Sequence, residues 1–224
     1  MERIDLFSIP IYKFKFNQHK QLKDQFTFYI KQREMFLKNT RVSTLMFTHP
    51  NLHKEELFKP FVDFSIESLQ NVMDDLGFVP SIELTGLWGT HQQDGGYHHS
   101  HIHSNAFLAG VYYLEGSDAT SGTNFYNTHQ YHNVIRPAIN GKQPRIASMH
   151  KTRFEEGVLY IFPAWLQHNT DVNRVDKTQS FRTILSFNSM PVGKTNTDEF
   201  DRYNYPSVEN ADMINYMDER VKVS

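Results

Sequence analysis

The chain has 224 residues, 39% hydrophobic and 21% charged, and a formal net charge of −2. That length suits one domain with a well-buried core, the composition excludes a disordered chain, and the near-neutral charge offers no basic footprint, so no nucleic-acid partner is expected. Cysteine is absent, which excludes disulfides, thiolate nucleophiles, Fe–S clusters and cysteine-based zinc sites; any metal has to be held by Asp, Glu or the 12 histidines.

No apolar run reaches membrane-spanning length, and the opening Met1-Glu2-Arg3-Ile4-Asp5 does not follow a signal-peptide plan, so a cytoplasmic protein without a membrane partner is expected. The 18 Phe and 11 Tyr point to a sheet-rich core built on large flat side chains.

The segment Leu6–Phe16 ends in alternating apolar and cationic residues and reads as an edge strand, with Pro10 tolerated near its start. Two helical stretches follow. Leu22, Phe26, Tyr29, Ile30 and Phe36 or Leu37 recur at helical spacing in the first. Phe58, Phe61, Val62, Ser65, Leu69, Val72, Met73 and Leu76 mark one face of the second, which Gly77 stops. From Ile82 the pattern turns to strands: Ile82, Leu84, Gly86 and Trp88 share one parity, and Phe107–Leu114, Val158–Phe162 and Thr183–Phe187 are apolar runs of strand length. Helices followed by many short strands predict an α+β chain whose β part closes into a sandwich or barrel. The polar, basic stretch Thr128–Met149 reads as an insertion loop, and the residues after Met190 as a surface tail.

Five histidines, His91, His98, His99, His101 and His103, lie within thirteen residues. On a strand, His101 and His103 fall on the same face, close enough to grip one ion. A third ligand has to come from elsewhere, and His168, following the Val158–Phe162 strand and the turn Pro163-Ala164-Trp165, is the best placed. A pair plus one distant histidine, with coordination positions left open, is how a catalytic non-haem iron site is built. His91 and His98 read as ordinary hydrogen-bonded or surface residues, while His99, on the parity of His101, could support a ligand or face the substrate. Arg182 heads an otherwise apolar strand, and a buried guanidinium needs an anionic partner; a dicarboxylate co-substrate would supply one.

These residues fall into a known order. The run His101-Ile-His-Ser-Asn-Ala-Phe-Leu-Ala-Gly-Val-Tyr-Tyr-Leu-Glu115 resembles the His-x-His…Ser-Gly-Val-Tyr-Tyr-Leu signature of a 2-oxoglutarate/Fe(II)-dependent oxygenase family. Glu156–His168 is similar to its Gly-x-Leu-x-x-Phe-Pro-x-x-Leu-x-His element, Arg182–Asn188 to its closing Arg-x-Ser-x-Ser-Phe-Asn strand, and Leu6–Tyr12 to its Phe-x-x-Pro opening. The resemblance implies a double-stranded β-helix (a cupin-like jelly-roll) with an N-terminal helical layer. It treats 1–224 as a single domain, with 1–80 supplying a strand and supporting helices, 81–190 the jelly-roll core and 191–224 a tail.

It further implies Fe(II) held by His101 and His168, with His103 the third ligand and catalytic with them, and 2-oxoglutarate and O2 as co-substrates. Arg182 would anchor the distal carboxylate, with Tyr112 or Tyr113, Asn105 and Ser186 helping to hold the co-substrate. Better-known oxygenases carry Asp or Glu where His103 stands, which leaves Asp94 and Asp171 as alternative ligands. Ile184 replaces the first serine of the closing strand. Hydroxylation of a small-molecule or peptide substrate, with release of succinate and CO2, is the expected reaction. A cupin-like three-His dioxygenase that does not use 2-oxoglutarate and a non-enzymatic jelly-roll binding module are the competing readings. His129, His132, Arg136, Lys142, Arg145 and His150 could receive an anionic substrate, and a homodimer is among the open oligomeric states.

Overall fold

The computed structural model describes residues 8–32, 45–78, 80–116, 120–128, 148–174 and 181–192. In chain order these form β1 (Tyr12–Lys15), α1 (His19–Gln32), β2 (Leu45–Phe47), α2 (Lys59–Asp75), β3 (Ser81–Gln92), β4 (Leu108–Glu115), β5 (Ser121–Tyr126), β6 (Met149–Arg153), β7 (Val158–Pro163), β8 (His168–Asn169) and β9 (Arg182–Val192). The pairings among these described strands are antiparallel. Six strands make a large sheet in the order β1-β7-β4-β9-β3-β2, and three make a small one in the order β6-β5-β8.

Period-two alternation sorts each long strand between two cores. Leu108, Tyr112 and Leu114 of β4, Leu159 and Ile161 of β7, and Leu185 and Phe187 of β9 pack with Phe26 and Ile30 of α1 and Phe61, Leu69, Val72 and Met73 of α2. The opposite parity, Ala109, Val111 and Tyr113, Val158, Tyr160 and Phe162, and Ile184, packs with Phe125 of the small sheet. The result is the expected jelly-roll, two sheets face to face, with the helices covering the outer face of the larger one. Pro60 opens α2 and Gly77, at φ 76°, ends it in the left-handed conformation that glycine adopts without strain.

Several boundaries differ from the sequence expectation. The first strand is shorter, Tyr12–Lys15, but it does lie at a sheet edge, against β7. Phe36 and Leu37 lie outside the described residues, as do the tail from 193 and residues 129–147 of the expected loop, with His129, His132, Arg136, Lys142 and Arg145. His150 is exposed on β6. The N-terminal part supplies both edge strands of the large sheet, β1 and β2, besides its helices. The shared parity of Ile82, Leu84, Gly86 and Trp88 does not survive. A register shift between Leu84 and Gly86 inserts one residue, so Ile82 and Leu84 face the helices, Leu87 takes over that face, and Trp88 turns to the inner one.

The helix-side core closes tightly over the large sheet because glycine stands where a ring needs room. Gly110 pairs with Phe187 across β4 and β9, and a Cβ added there would sit 2.2 Å from the Phe187 ring. Gly110→Ala therefore has to push Phe187 out of the helix-side core. The expected loss is about 1–3 kcal/mol, read as a lower midpoint in urea with an unchanged m-value; an unchanged midpoint would contradict this packing.

Candidate metal and co-substrate site

Between the sheets lies a cavity lined by Trp88, His98, His101, His103, Val111, Thr123, Phe162, His168, Asn169, Thr170, Arg182, Ile184 and Ser186, among others. His101 and His103 do not lie on a regular strand. A single antiparallel bridge joins His101 to His168, the His103 N–H donates to the Ala164 carbonyl (2.9 Å), and between these anchors the pair is held extended, both rings inward. His168 starts β8, which pairs with β5 of the small sheet.

One ring nitrogen from each of His101, His103 and His168 lies within 4.8 Å of the others, the single such group among the described residues. Their outer nitrogens are all engaged. His101 Nδ1–H donates to the His99 carbonyl (2.7 Å), His168 Nδ1–H to the Leu166 carbonyl (2.8 Å) and His103 Nδ1–H to Asn188 Oδ1 (2.5 Å). Each acceptor selects the Nδ1–H tautomer and leaves an Nε2 lone pair turned toward the others. The Nε2 atoms of His103 and His168 stand 3.2 Å apart. Two lone pairs at that distance repel unless an electrophile lies between them. With metal–imidazole bonds of about 2.1 Å, adjacent ligand nitrogens on one ion stand roughly 3.0–3.4 Å apart, so the pair suits a shared cation. Burial holds His103 and His168 down to about 4 and about 3, so both are neutral at ordinary pH. The rings are braced as well: Trp88 stacks on His103, and Phe162 meets His168 edge-on.

The group contains no carboxylate. Asp171 instead binds Lys151 and Asn124, half exposed, and Asp94 is exposed. Neither alternative ligand is brought to the cluster.

Arg182 is fully buried. Its Nε donates to the Ser121 carbonyl (2.8 Å) and its Nη1 to Gln92 Oε1 (2.9 Å), while Nη2 has no hydrogen-bond partner among the described residues. The guanidinium lies against the stacked rings of Tyr113 and Phe154. Burial lowers its pKa to about 10, still well above neutrality. A charged guanidinium with an orphaned N–H2 beside a cavity fits an anionic group.

The remaining expected residues divide. Ser186 and Ile184 line the cavity. Tyr113 faces inward, but its hydroxyl is taken up by Thr123 and Thr152 (2.9 and 2.8 Å), so it braces Arg182 from behind. Tyr112 has the opposite parity: it points to the helices and bonds His19 (2.6 Å), and is thus removed from the co-substrate set. Asn105 is exposed in a turn at φ 54° and does not reach the cavity. His99 contributes only its carbonyl to the cluster. His98 lines the cavity, its ring 4.8 Å from that of His101, contrary to its reading as an ordinary residue. Asn188 and Gln92 were not anticipated; both could be found by counting in twos from Arg182 and across to its β3 partner.

His91 fits the ordinary reading. It is buried on the helix side and bonded to Thr183 (2.9 Å), and burial, with Lys31 nearby and Glu115 partly opposing, lowers its pKa to about 4. The unfolded chain protonates His91 near its ordinary 6.5, so the unfolded state binds more protons between these values and stability is lost as pH falls through them. His91→Gln is expected to flatten the acid side of a Tm–pH curve, by at most about 1.4 kcal/mol per pH unit. Parallel curves would contradict that assignment.

The chain has counterparts among known proteins in sequence family and in fold. Residues 86–188 match the family described as "Putative 2OG-Fe(II) oxygenase". No curated protein matches the sequence. Among solved structures, HygX from Streptomyces hygroscopicus with nickel, 2-oxoglutarate and hygromycin B bound is 10% identical, with a TM-score of 0.57 over 84% of this chain and 85% of that one. The non-heme alpha ketoglutarate dependent epimerase SnoN from nogalamycin biosynthesis is 8% identical, with a TM-score of 0.59 over 83% and 80%. A Pseudomonas putida prolyl-4-hydroxylase is 8% identical, with a TM-score of 0.53 over 82% and 94%. At such identities the likeness is one of fold. The stretch 86–188, which carries the three clustered histidines and the buried arginine, is thus the part of the chain that matches the 2OG-Fe(II) oxygenase family, the family to which its sequence motifs point.

Proposed function

We propose that this chain is a 2-oxoglutarate- and Fe(II)-dependent dioxygenase that hydroxylates an organic substrate. The observation that carries the reading is one cavity holding both a three-histidine group with its lone pairs turned together and a buried arginine whose Nη2 has no partner among the described residues. His101, His103 and His168 would hold the iron, and Arg182 the distal carboxylate of 2-oxoglutarate. With no carboxylate in the ligand group, a loaded site carries the ion's two positive charges and one from Arg182, which favours a dianionic co-substrate. When bound, Fe(II) with O2 and 2-oxoglutarate supplies the oxidising chemistry, in which the co-substrate becomes succinate and CO2 and one oxygen atom enters a substrate C–H bond.

The protein's own contributions are positional. The carbonyls of His99 and Leu166 and the amide of Asn188 fix the imidazole tautomers, and Trp88 and Phe162 lock two of the rings. Ile184, Val111 and Phe162 give the cavity its apolar wall sections, which limit water there and strengthen nearby charge interactions. Because a fold of this kind also serves an epimerase, SnoN, hydroxylation is the outcome to be verified by product analysis. The first test is anaerobic loading with Fe(II), then 2-oxoglutarate, watching for the visible metal-to-ligand charge-transfer band. A band followed by succinate formation under air supports the reading. Iron uptake without a band would replace it with a dioxygenase that does not use 2-oxoglutarate, and no iron uptake would end it.

A further inference from the structure

We propose that Gln92 is a positioning residue that keeps Arg182 fixed yet electrically uncompensated, so that the guanidinium's charge is reserved for the co-substrate. The inference rests on the 2-oxoglutarate reading above. A buried arginine ordinarily takes a carboxylate partner, because an unpaired charge in an apolar interior is costly. Here the two groups that hold it among the described residues are both neutral acceptors, Gln92 Oε1 and the Ser121 carbonyl. They satisfy Nε and Nη1 and orient the planar fork, but cancel none of its charge. Nη2 is left without a hydrogen-bond partner among the described residues.

The placement follows from the sheet. Gln92 and Arg182 are direct partners across β3 and β9, on the inner face, and both are fully buried. The amide is also held from its other end: Nε2 donates to Thr170 Oγ1 (3.4 Å), which accepts the His98 backbone N–H (2.8 Å). Since arginine offers donors alone, Oε1 has to face it and Nε2 has to face Thr170. A glutamate of the same length would satisfy the arginine but could not donate to Thr170, and it would neutralise the anion site.

The test is a 2-oxoglutarate titration of anaerobic Fe(II)-loaded protein, followed by the charge-transfer band, with Fe(II) affinity in the absence of 2-oxoglutarate and Tm measured alongside. In Gln92→Glu the Kd for 2-oxoglutarate is expected to weaken by about tenfold or more, with Fe(II) affinity and Tm retained. Should the buried carboxylate prevent folding, Gln92→Met serves instead: it removes the acceptor without adding charge, and the Kd is expected to weaken severalfold with Fe(II) affinity retained. Unchanged 2-oxoglutarate affinity in the variants overturns the proposal. So does a loss matched by equal losses of Fe(II) affinity and Tm, which would mark Gln92 as core packing alone. A wild-type protein with no band removes the co-substrate reading, and this inference with it, before any variant is made.

Discussion

His168→Ala protein is expected to form no charge-transfer band with Fe(II) and 2-oxoglutarate and to release succinate at under about one-hundredth of the wild-type rate. The magnitude has a physical floor. Mutating the groups that merely orient a metal ligand typically costs 10–100-fold in affinity or activity, and His168 is itself the proposed ligand. It is also the hinge of the cluster: it bridges to His101, faces His103 Nε2 at 3.2 Å, and begins the β8 strand that joins the small sheet. Alanine leaves the backbone bridge intact, since that bridge uses the N–H and C=O of residue 168. The fold should therefore survive, and a circular dichroism spectrum like that of wild type is part of the expected result. Wild-type band intensity in this variant would refute the assignment and return Asp94 and Asp171 to consideration.

Arg182→Met is expected to separate binding from stability. Removing one partner of a buried charge pair costs about 2–5 kcal/mol in binding, so the Kd for 2-oxoglutarate should weaken by roughly 30-fold to several thousandfold. Stability of the unliganded protein should move much less, or rise. The guanidinium is fully buried without a counter-charge among the described residues, and exchanging such a charge for an apolar chain of similar length relieves a desolvation cost. Lost acceptors at Gln92 and Ser121 oppose that gain. The measurement pairs the band titration with urea denaturation of ligand-free protein. A collapse in stability with unchanged 2-oxoglutarate affinity would show that Arg182 is a structural residue and not the anion anchor.

Where the sequence was legible, a long periodic segment carried the signal. The helices, β4, β7 and the core of β9 announce themselves by apolar spacing, and the three histidines by chemistry and by their position beside buried strands. The small sheet was not legible. Its strands β5, β6 and β8 are short and polar, with buried Thr123, Asn124 and Thr152 where hydrophobic residues would mark a strand. The β3 bulge was equally silent, since one inserted residue reverses the faces without altering composition. The tyrosine pair shows the same limit from the other side. Adjacent residues on a strand must part company, and only the pairing of Tyr113 with Ile184, two residues from Arg182, reveals which one looks inward. Neutral amides such as Asn188 and Gln92 carry no charge to draw attention, although even spacing from Arg182 leads to the first.

One strand carries the proposed anion anchor and a residue that steadies one of the proposed metal ligands. On β9, Arg182 is the proposed anion anchor and Asn188 accepts from His103, with Ile184 and Ser186 on the same face between them. Six residues at about 3.3 Å each set those two Cα positions roughly 20 Å apart, and β9 is clamped between β4 and β3 along most of its length. The strand is therefore a ruler. Under the proposed function, the distance from the anion anchor to the residue that steadies His103 is set by backbone pitch, and 2-oxo diacids one methylene shorter or longer than 2-oxoglutarate are expected to bind more weakly.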